Sequence, residues 1–137
     1  MDVAEVIAKP IAQQLLSEVP VLHLAYTGLD GGPRSIPIGY LWDGARIRLW
    51  TIPNAPKVRA LQADPRVAVT IDMLGTPARL LLARGRAALT TVDGVPAGYL
   101  EASHRAFRAR GGMTSMPRYV VSTTGWWQSL SCRTGPS

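Results

Sequence analysis

A chain of 137 residues is about one domain long, and folding at this size buries roughly 70% of the surface the unfolded chain exposes, enough for one core. With 47% apolar and 18% charged residues and a single cysteine, Cys132, the composition excludes bulk disorder, an internal disulfide and a zinc site of clustered Cys and His. The net charge of +6 arises wholly in residues 66–137, where nine Arg stand singly between apolar residues, a pattern suited to clamping carboxylate or phosphate rather than coating nucleic acid.

Ala4, Ile7, Ile11, Leu15 and Leu16 recur at helical spacing and predict a short amphipathic helix within residues 1–19, with Pro10 as a break or kink. That start lacks the basic and apolar blocks of a secretory signal, and no run reaches the roughly 20 apolar residues of a membrane span, so a cytoplasmic address is expected. VLHLAYT after Pro20 reads as a strand and GLDGG as a turn. RSIPIGYLW then returns as a second strand, with Arg34, Ile36, Ile38, Tyr40 and Trp42 on one face. Asp43-Gly44 favours a tight type I′ turn into ARIRLWT, completing a three-stranded meander.

From Thr51 the pattern changes. Asn54 as cap, Pro56 early, and Val58, Leu61 and Gln62 one turn apart predict a short helix over Ala55 to Ala63, closed by Asp64-Pro65. RVAVTIDM is a strand, LGTP a turn, and ARLLLARGRAALTT a long strand whose Gly85 marks a bulge or barrel corner. VDGVPAGYLEASHRAFRARGG reads as loop then helix, burying Tyr99, Ala102, Ala106 and Phe107 and stopping at Gly111-Gly112. PRYVVSTT is a sixth strand, and residues 125–137 form a tail. Six antiparallel strands over residues 20–124 with inserted helices predict a mainly antiparallel α+β barrel, since closure removes exposed edges.

The strand ending in Thr51 followed by a helix that Lys57 enters suits a phosphate or other oxygen ligand. A helix start offers unpaired amides and the positive end of its dipole, Lys57 adds a full charge, and Thr51 a hydroxyl. His23 in its apolar run reads as hydrogen-bonded packing, with a haem ligand as the alternative, and His104 as a surface residue. Arg105, Arg108 and Arg110 form a solvated helix face or a recruiting surface for an anion. Cys132 has no His or carboxylate beside it in sequence and no Gly-x-Ser-x-Gly elbow exists, so nucleophilic hydrolysis has no support.

Five features in order resemble the flavin-binding split-barrel proteins related to pyridoxamine 5′-phosphate oxidase, some of which use a deazaflavin coenzyme. They are Arg34-Ser35-Ile36-Pro37-Ile38, Trp50-Thr51, Lys57 in APKVRAL, the ADPRVAV join, and ARGRA in the fifth strand. The resemblance implies a six-stranded split β-barrel and a homodimer that holds FMN at its interface, with the cofactor phosphate on the Arg34 strand, Thr51 and Lys57. It sets the backbone of Ile36 to Ile38 against the isoalloxazine ring, brings Arg79 or Leu80 near it, and lets Trp126 and Trp127 close the pocket. The implied activity is hydride or electron transfer to or from a small organic substrate. A deazaflavin-dependent reductase, or a flavin- or haem-binding module without turnover, is the alternative. Two departures matter: Ala55 and Pro56 stand where many members carry Ser and Arg as phosphate ligands, and LSCRTGPS offers only Arg133 to grip pyridoxal phosphate.

Overall fold

Pro10 divides the amino-terminal helix in two. The computed structural model describes residues 3–52, 54–75, 77–91, 97–110, 119–124 and 131–134, with side chains between Glu5 and Ala106. It shows α1 (Val3–Ala8) and α2 (Pro10–Glu18) in place of one helix, because Pro10 has no N–H to continue α1 and a fixed φ suited to the first position of α2. Val6, Ala12, Leu15 and Leu16 are buried along this segment.

Strands β1 (Val21–Thr27) and β2 (Pro33–Gly39) form the expected hairpin, with Val21 opposite Gly39 and Thr27 opposite Pro33. At Tyr40 the expected second strand breaks, and the chain resumes as β3 (Leu41–Trp42), which pairs with β4 (Ile47–Thr51). The loop between them has four residues, Asp43 to Arg46, and no described non-glycine residue has positive φ, so the expected type I′ turn does not form. Instead Asp43 Oδ1 accepts the amides of Ala45 and Arg46 at 2.9 and 2.7 Å, and Gly44 alone takes positive φ.

Helix α3 (Pro56–Ala63) follows, then β5 (Arg66–Met73), β6 (Arg79–Thr91), α4 (Ala97–Arg110), β7 (Tyr119–Thr124) and β8 (Ser131–Thr134). The strand order is β2-β1-β5-β6-β7-β4-β3, with β8 on the first part of β6, so the expected meander is replaced: β2 and β3 lie at opposite ends of the path. Yet one residue, Tyr40, joins them. A sheet whose two end strands are linked through a single residue must curl until they come together at that corner, leaving the rest of the β2 edge without a strand partner among the described residues.

Eight described strands replace the six expected, the additions being β3 and β8, the latter within the segment read as a tail. Gly85 is not a bulge: the β5–β6 register runs unbroken from Arg66 opposite Arg86 to Met73 opposite Arg79. It falls where the other edge of β6 changes partner, from β8 at Arg79–Leu82 to β7 at Arg86–Thr91. The barrel interior is filled by Leu22, Leu24, Leu49, Ile71, Leu81 and Tyr40, with Ile36, Ile38 and Trp42 packed against them.

Tyr40 is fully buried and its hydroxyl donates to the carbonyls of Leu15 and Leu16, each at 3.3 Å. Arg105, expected on a solvated face, instead donates to the carbonyls of Ser17 (3.0 Å), Val19 (3.4 Å) and Tyr40 (3.3 Å), and stands 5.5 Å above the Tyr40 ring. It satisfies carbonyls that the end of α2 leaves unpaired. Gly39 lets α4 approach, since a Cβ there would lie 3.1 Å from Ala106 Cβ and 3.3 Å from the Ala102 carbonyl.

Burial pushes the Tyr40 phenol from 10.0 up to about 12. Between these values the unfolded chain has lost a proton that the folded chain keeps, so stability falls as pH rises. Chemical denaturation at pH 9, 10.5 and 12 is expected to show a loss approaching roughly 2–3 kcal/mol, which Tyr40→Phe removes.

Candidate functional site

Thr51 ends β4 and Lys57 is the second residue of α3, so a short turn carries both. The turn is held by the Ala55 amide donating to Ile52 O at 3.2 Å and the Val58 amide donating to Ala55 O at 3.0 Å. The cap of α3 is Ala55 rather than the expected Asn54, and no side chain caps the helix. Pro56 starts it by its fixed φ, and Asp64 ends it because a residue before proline is steered out of the helical region. Val58, Ala60 and Leu61 are buried, whereas Gln62 is exposed, against expectation.

Thr51 is buried apart from 7% of its surface. Lys57 is half-buried, and among the described residues no carboxylate lies within 4 Å of its ammonium. Burial lowers the pKa of this amine below its ordinary value. A cation held partly out of water without a counter-charge suits an anionic group arriving from outside. An ammonium at the start of the helix and a hydroxyl at the end of the preceding strand are donor types that fit a phosphate.

Trp50 lies beside Thr51 but belongs to a second small core with Ala102, Leu41 and Tyr99. Its Nε1 is buried and has no acceptor among the described residues. The first turn of α4 presses on its ring: a Cβ at Gly98 would lie 2.5 Å from Trp50 Cζ2. Gly98→Ala, a change that favours an ordinary helix by up to about 1 kcal/mol, is therefore expected to destabilise by about 1–3 kcal/mol through overpacking, read as a lower urea midpoint.

The remaining sequence candidates are spread over the barrel. Arg34 sits at the β1–β2 tip, where its Nη2 meets Asp30 Oδ2 at 2.9 Å and its Nη1 donates to Pro33 O at 3.2 Å. Ser35 and Pro37 are exposed on β2, while Ile36 and Ile38 are half-buried against the interior. A proline within an edge strand fits where its missing N–H faces the free edge, so Pro33 and Pro37 leave Ser35 as the amide donor of that stretch. Arg79 is half-buried and donates to Gln14 Oε1 at 2.8 Å, and Leu80 pairs in register with Asp72 on one side and Arg133 on the other. Trp126 and Trp127 lie outside the described residues. Thus Trp50, Thr51 and Lys57 stand at one turn, and Arg34 and Arg79 are engaged elsewhere.

Asp72 escaped the sequence reading, and the reading of His23 as packing is corrected. His23 is exposed rather than packed, with Nδ1 3.9 Å from Asp72 Oδ1 across the β1–β5 pair. Alternation along each strand carries the signal, but nothing local says that β1 and β5 are neighbours. Among the described residues no group of three or more His, Cys, Asp or Glu is arranged to hold a metal ion.

A family model described as pyridoxamine 5′-phosphate oxidase matches residues 8–122. The chain belongs to this family. Among solved structures, a putative pyridoxamine 5′-phosphate oxidase from Listeria innocua, 18% identical and covering 89% of this chain and 93% of that one, shares its fold with a TM-score of 0.61. An F420 reductase is 28% identical, covering 86% of this chain and 94% of that one, with a TM-score of 0.64. A FAD and haem binding protein from Mycobacterium smegmatis is 20% identical, covering 90% and 69%, with a TM-score of 0.68. The haem storage protein from Vibrio cholerae is 15% identical, covering 90% and 92%, with a TM-score of 0.63. Among curated proteins none matches the chain. The family's split-barrel fold is the one described above, and its matched segment includes every sequence candidate except Trp126 and Trp127. No described helix is long and apolar enough to cross a membrane.

Proposed function

We propose that this pyridoxamine 5′-phosphate oxidase family member is an oxidoreductase that binds a flavin-type cofactor, of the deazaflavin class in preference to FMN, at the interface of a homodimer. The observation that carries the reading is Lys57, a half-buried cation without a counter-charge among the described residues, at the start of α3. In this reading Lys57 and Thr51 hold the cofactor phosphate, and the outward edge of β2 around Ser35 and Pro37 lies along the ring. Ala55 and Pro56 supply no side-chain donor, which favours a cofactor that relies less on that position than FMN does. The F420 reductase, at 28% identity, supports the same choice, whereas the haem-binding neighbours at 15% and 20% support the fold alone.

When bound, such a cofactor supplies or accepts a hydride. The protein's share is to grip the phosphate, keep water from the reacting atoms and orient a small organic substrate. In this reading the second wall of the groove comes from a second copy of the chain.

Fluorescence titration with the deazaflavin coenzyme, FMN and FAD, together with the absorbance of added haem, tests the proposal. Saturable micromolar binding of the deazaflavin, weaker binding of FMN and no haem spectral shift are expected. The absence of saturable binding to any flavin-type cofactor overturns it. Sedimentation of the purified protein is expected to give a dimer mass.

A further inference from the structure

The alternation that turns Leu22 and Leu24 inward turns His23 outward, and the same alternation exposes Asp72 beside buried Ile71. His23 stands opposite Thr70 on β5 and opposite Pro37 on β2, and Asp72, two residues beyond Thr70, is its diagonal neighbour. The Nδ1–Oδ1 distance is 3.9 Å, with the side chains 53% and 47% exposed. Around the pair the outward positions are uncharged: Val21 and Ala25 on β1, Ser35 and Pro37 on β2, Thr70 on β5. The nearest outward base by register is Arg84 on β6, two strands from β1 and roughly 12 Å away, with Arg66 on β5 and Arg86 on β6 further along their strands.

We propose that His23, oriented by Asp72, is the proton donor for substrate reduction. The inference rests on the reading of the β2 edge as the place of the ring. His23 is directly across from Pro37, with Cβ atoms about 5 Å apart at such a pair, so its imidazole shares the outward surface with that stretch. Nδ1 faces Asp72, which leaves Nε2 for the substrate. Lys57 and Thr51 are committed to the phosphate, and arginine does not release its proton. Substrate-free geometry of this kind is commonly long and tightens in the complex.

In the reaction a polarised C=C or C=O bond accepts a hydride from the reduced cofactor at one atom and a proton from the imidazolium Nε2 at the other. The substrate gains two electrons and two hydrogens, and the cofactor is oxidised by two electrons. Neutral His23, left with its proton on Nδ1 toward Asp72, recovers the other proton from water. Asp72 is a positioning residue, favouring the Nδ1–H form.

His23→Asn and Asp72→Asn are compared with the wild type, using the reduced deazaflavin and two probe acceptors, cyclohex-2-enone and menadione. Cofactor dissociation constants are expected to stay within twofold in both variants. In His23→Asn, kcat for the enone is expected to fall by about 100-fold or more, the usual share of general acid catalysis, and to lose the alkaline limb of its pH profile. In the cofactor-free protein, ring 15N shifts of His23 are expected to report the Nδ1–H tautomer, moving toward Nε2–H in Asp72→Asn. Normal cofactor binding with unchanged kcat and pH profile in His23→Asn overturns the proton-donor role alone, as does a tautomer unaffected by Asp72→Asn. A wild-type protein that binds no flavin-type cofactor overturns this role and the proposed function together.

Discussion

Lys57→Met is expected to weaken cofactor binding by about 10- to 150-fold, the equivalent of about 1.4–3 kcal/mol, while raising the melting temperature of the cofactor-free protein by a few degrees. The opposite signs are the point of the experiment. Methionine keeps the length and apolar stem of lysine, so it fills the same half-buried space without a charge to desolvate. A lysine that served only the fold would show no such trade, and a surface lysine would show neither effect.

The pH dependence follows from the same group. Burial lowers the Lys57 pKa in the cofactor-free protein. Between that lowered value and the ordinary 10.5, the unfolded chain binds a proton that the folded chain has released, so this residue makes stability rise with pH. A bound phosphate restores the charged form, so affinity is expected to fall as pH climbs through that window. Lys57→Met should flatten the decline. Fluorescence titration between pH 7 and 10 measures both, and an unchanged dissociation constant in Lys57→Met moves the phosphate site elsewhere.

Tyr40→Ala is expected to cost about 3–5 kcal/mol, the range for truncating a buried aromatic side chain, measured by urea denaturation. Tyr40→Phe should cost only about 1 kcal/mol, because the two hydroxyl contacts at 3.3 Å are long and the ring remains. The difference separates the ring's packing from its hydrogen bonds. Arg105 adds a third element to this corner by linking α4 to the end of α2 and to the Tyr40 carbonyl. A Tyr40→Ala cost below about 1 kcal/mol would show that the corner between β2 and β3 does not depend on this side chain.

Much of the fold is legible because faces are local. Ile36, Ile38, Tyr40 and Trp42 do share an inward face, although the chain bends between them, since the bend at Tyr40 leaves the alternation intact. Pro10 and Pro56 mark real helix starts by a constraint that acts within one residue. Partners are not local. Nothing near Asp43-Gly44 reveals that β3 and β4 join the sheet through β7, with Arg48 opposite Ser122. Arg105 looked solvated because its acceptors, Ser17, Val19 and Tyr40, come from distant parts of the chain. The candidate site divides in the same way. Thr51 and Lys57 are legible through one short turn, whereas His23 and Asp72 become neighbours only once β1 lies against β5.

The strand order also sets a timetable for synthesis. Strands β2, β1, β5 and β6 are all made by residue 91, and each pairs with another of the four, so this half of the sheet can assemble while the ribosome is still at work. β4, which carries Trp50 and Thr51, was made earlier, yet among the described residues its only ladder beyond its own hairpin is with β7, residues 119–124. For the time needed to translate the intervening helix, the β3–β4 hairpin lacks its strand partner and has only the packing of Ile47 and Leu49 on the core to hold it. The proposed phosphate grip is therefore among the first parts of the molecule to be made and among the last to be fixed in place, so a nascent chain stalled before Tyr119 should carry Lys57 without a site.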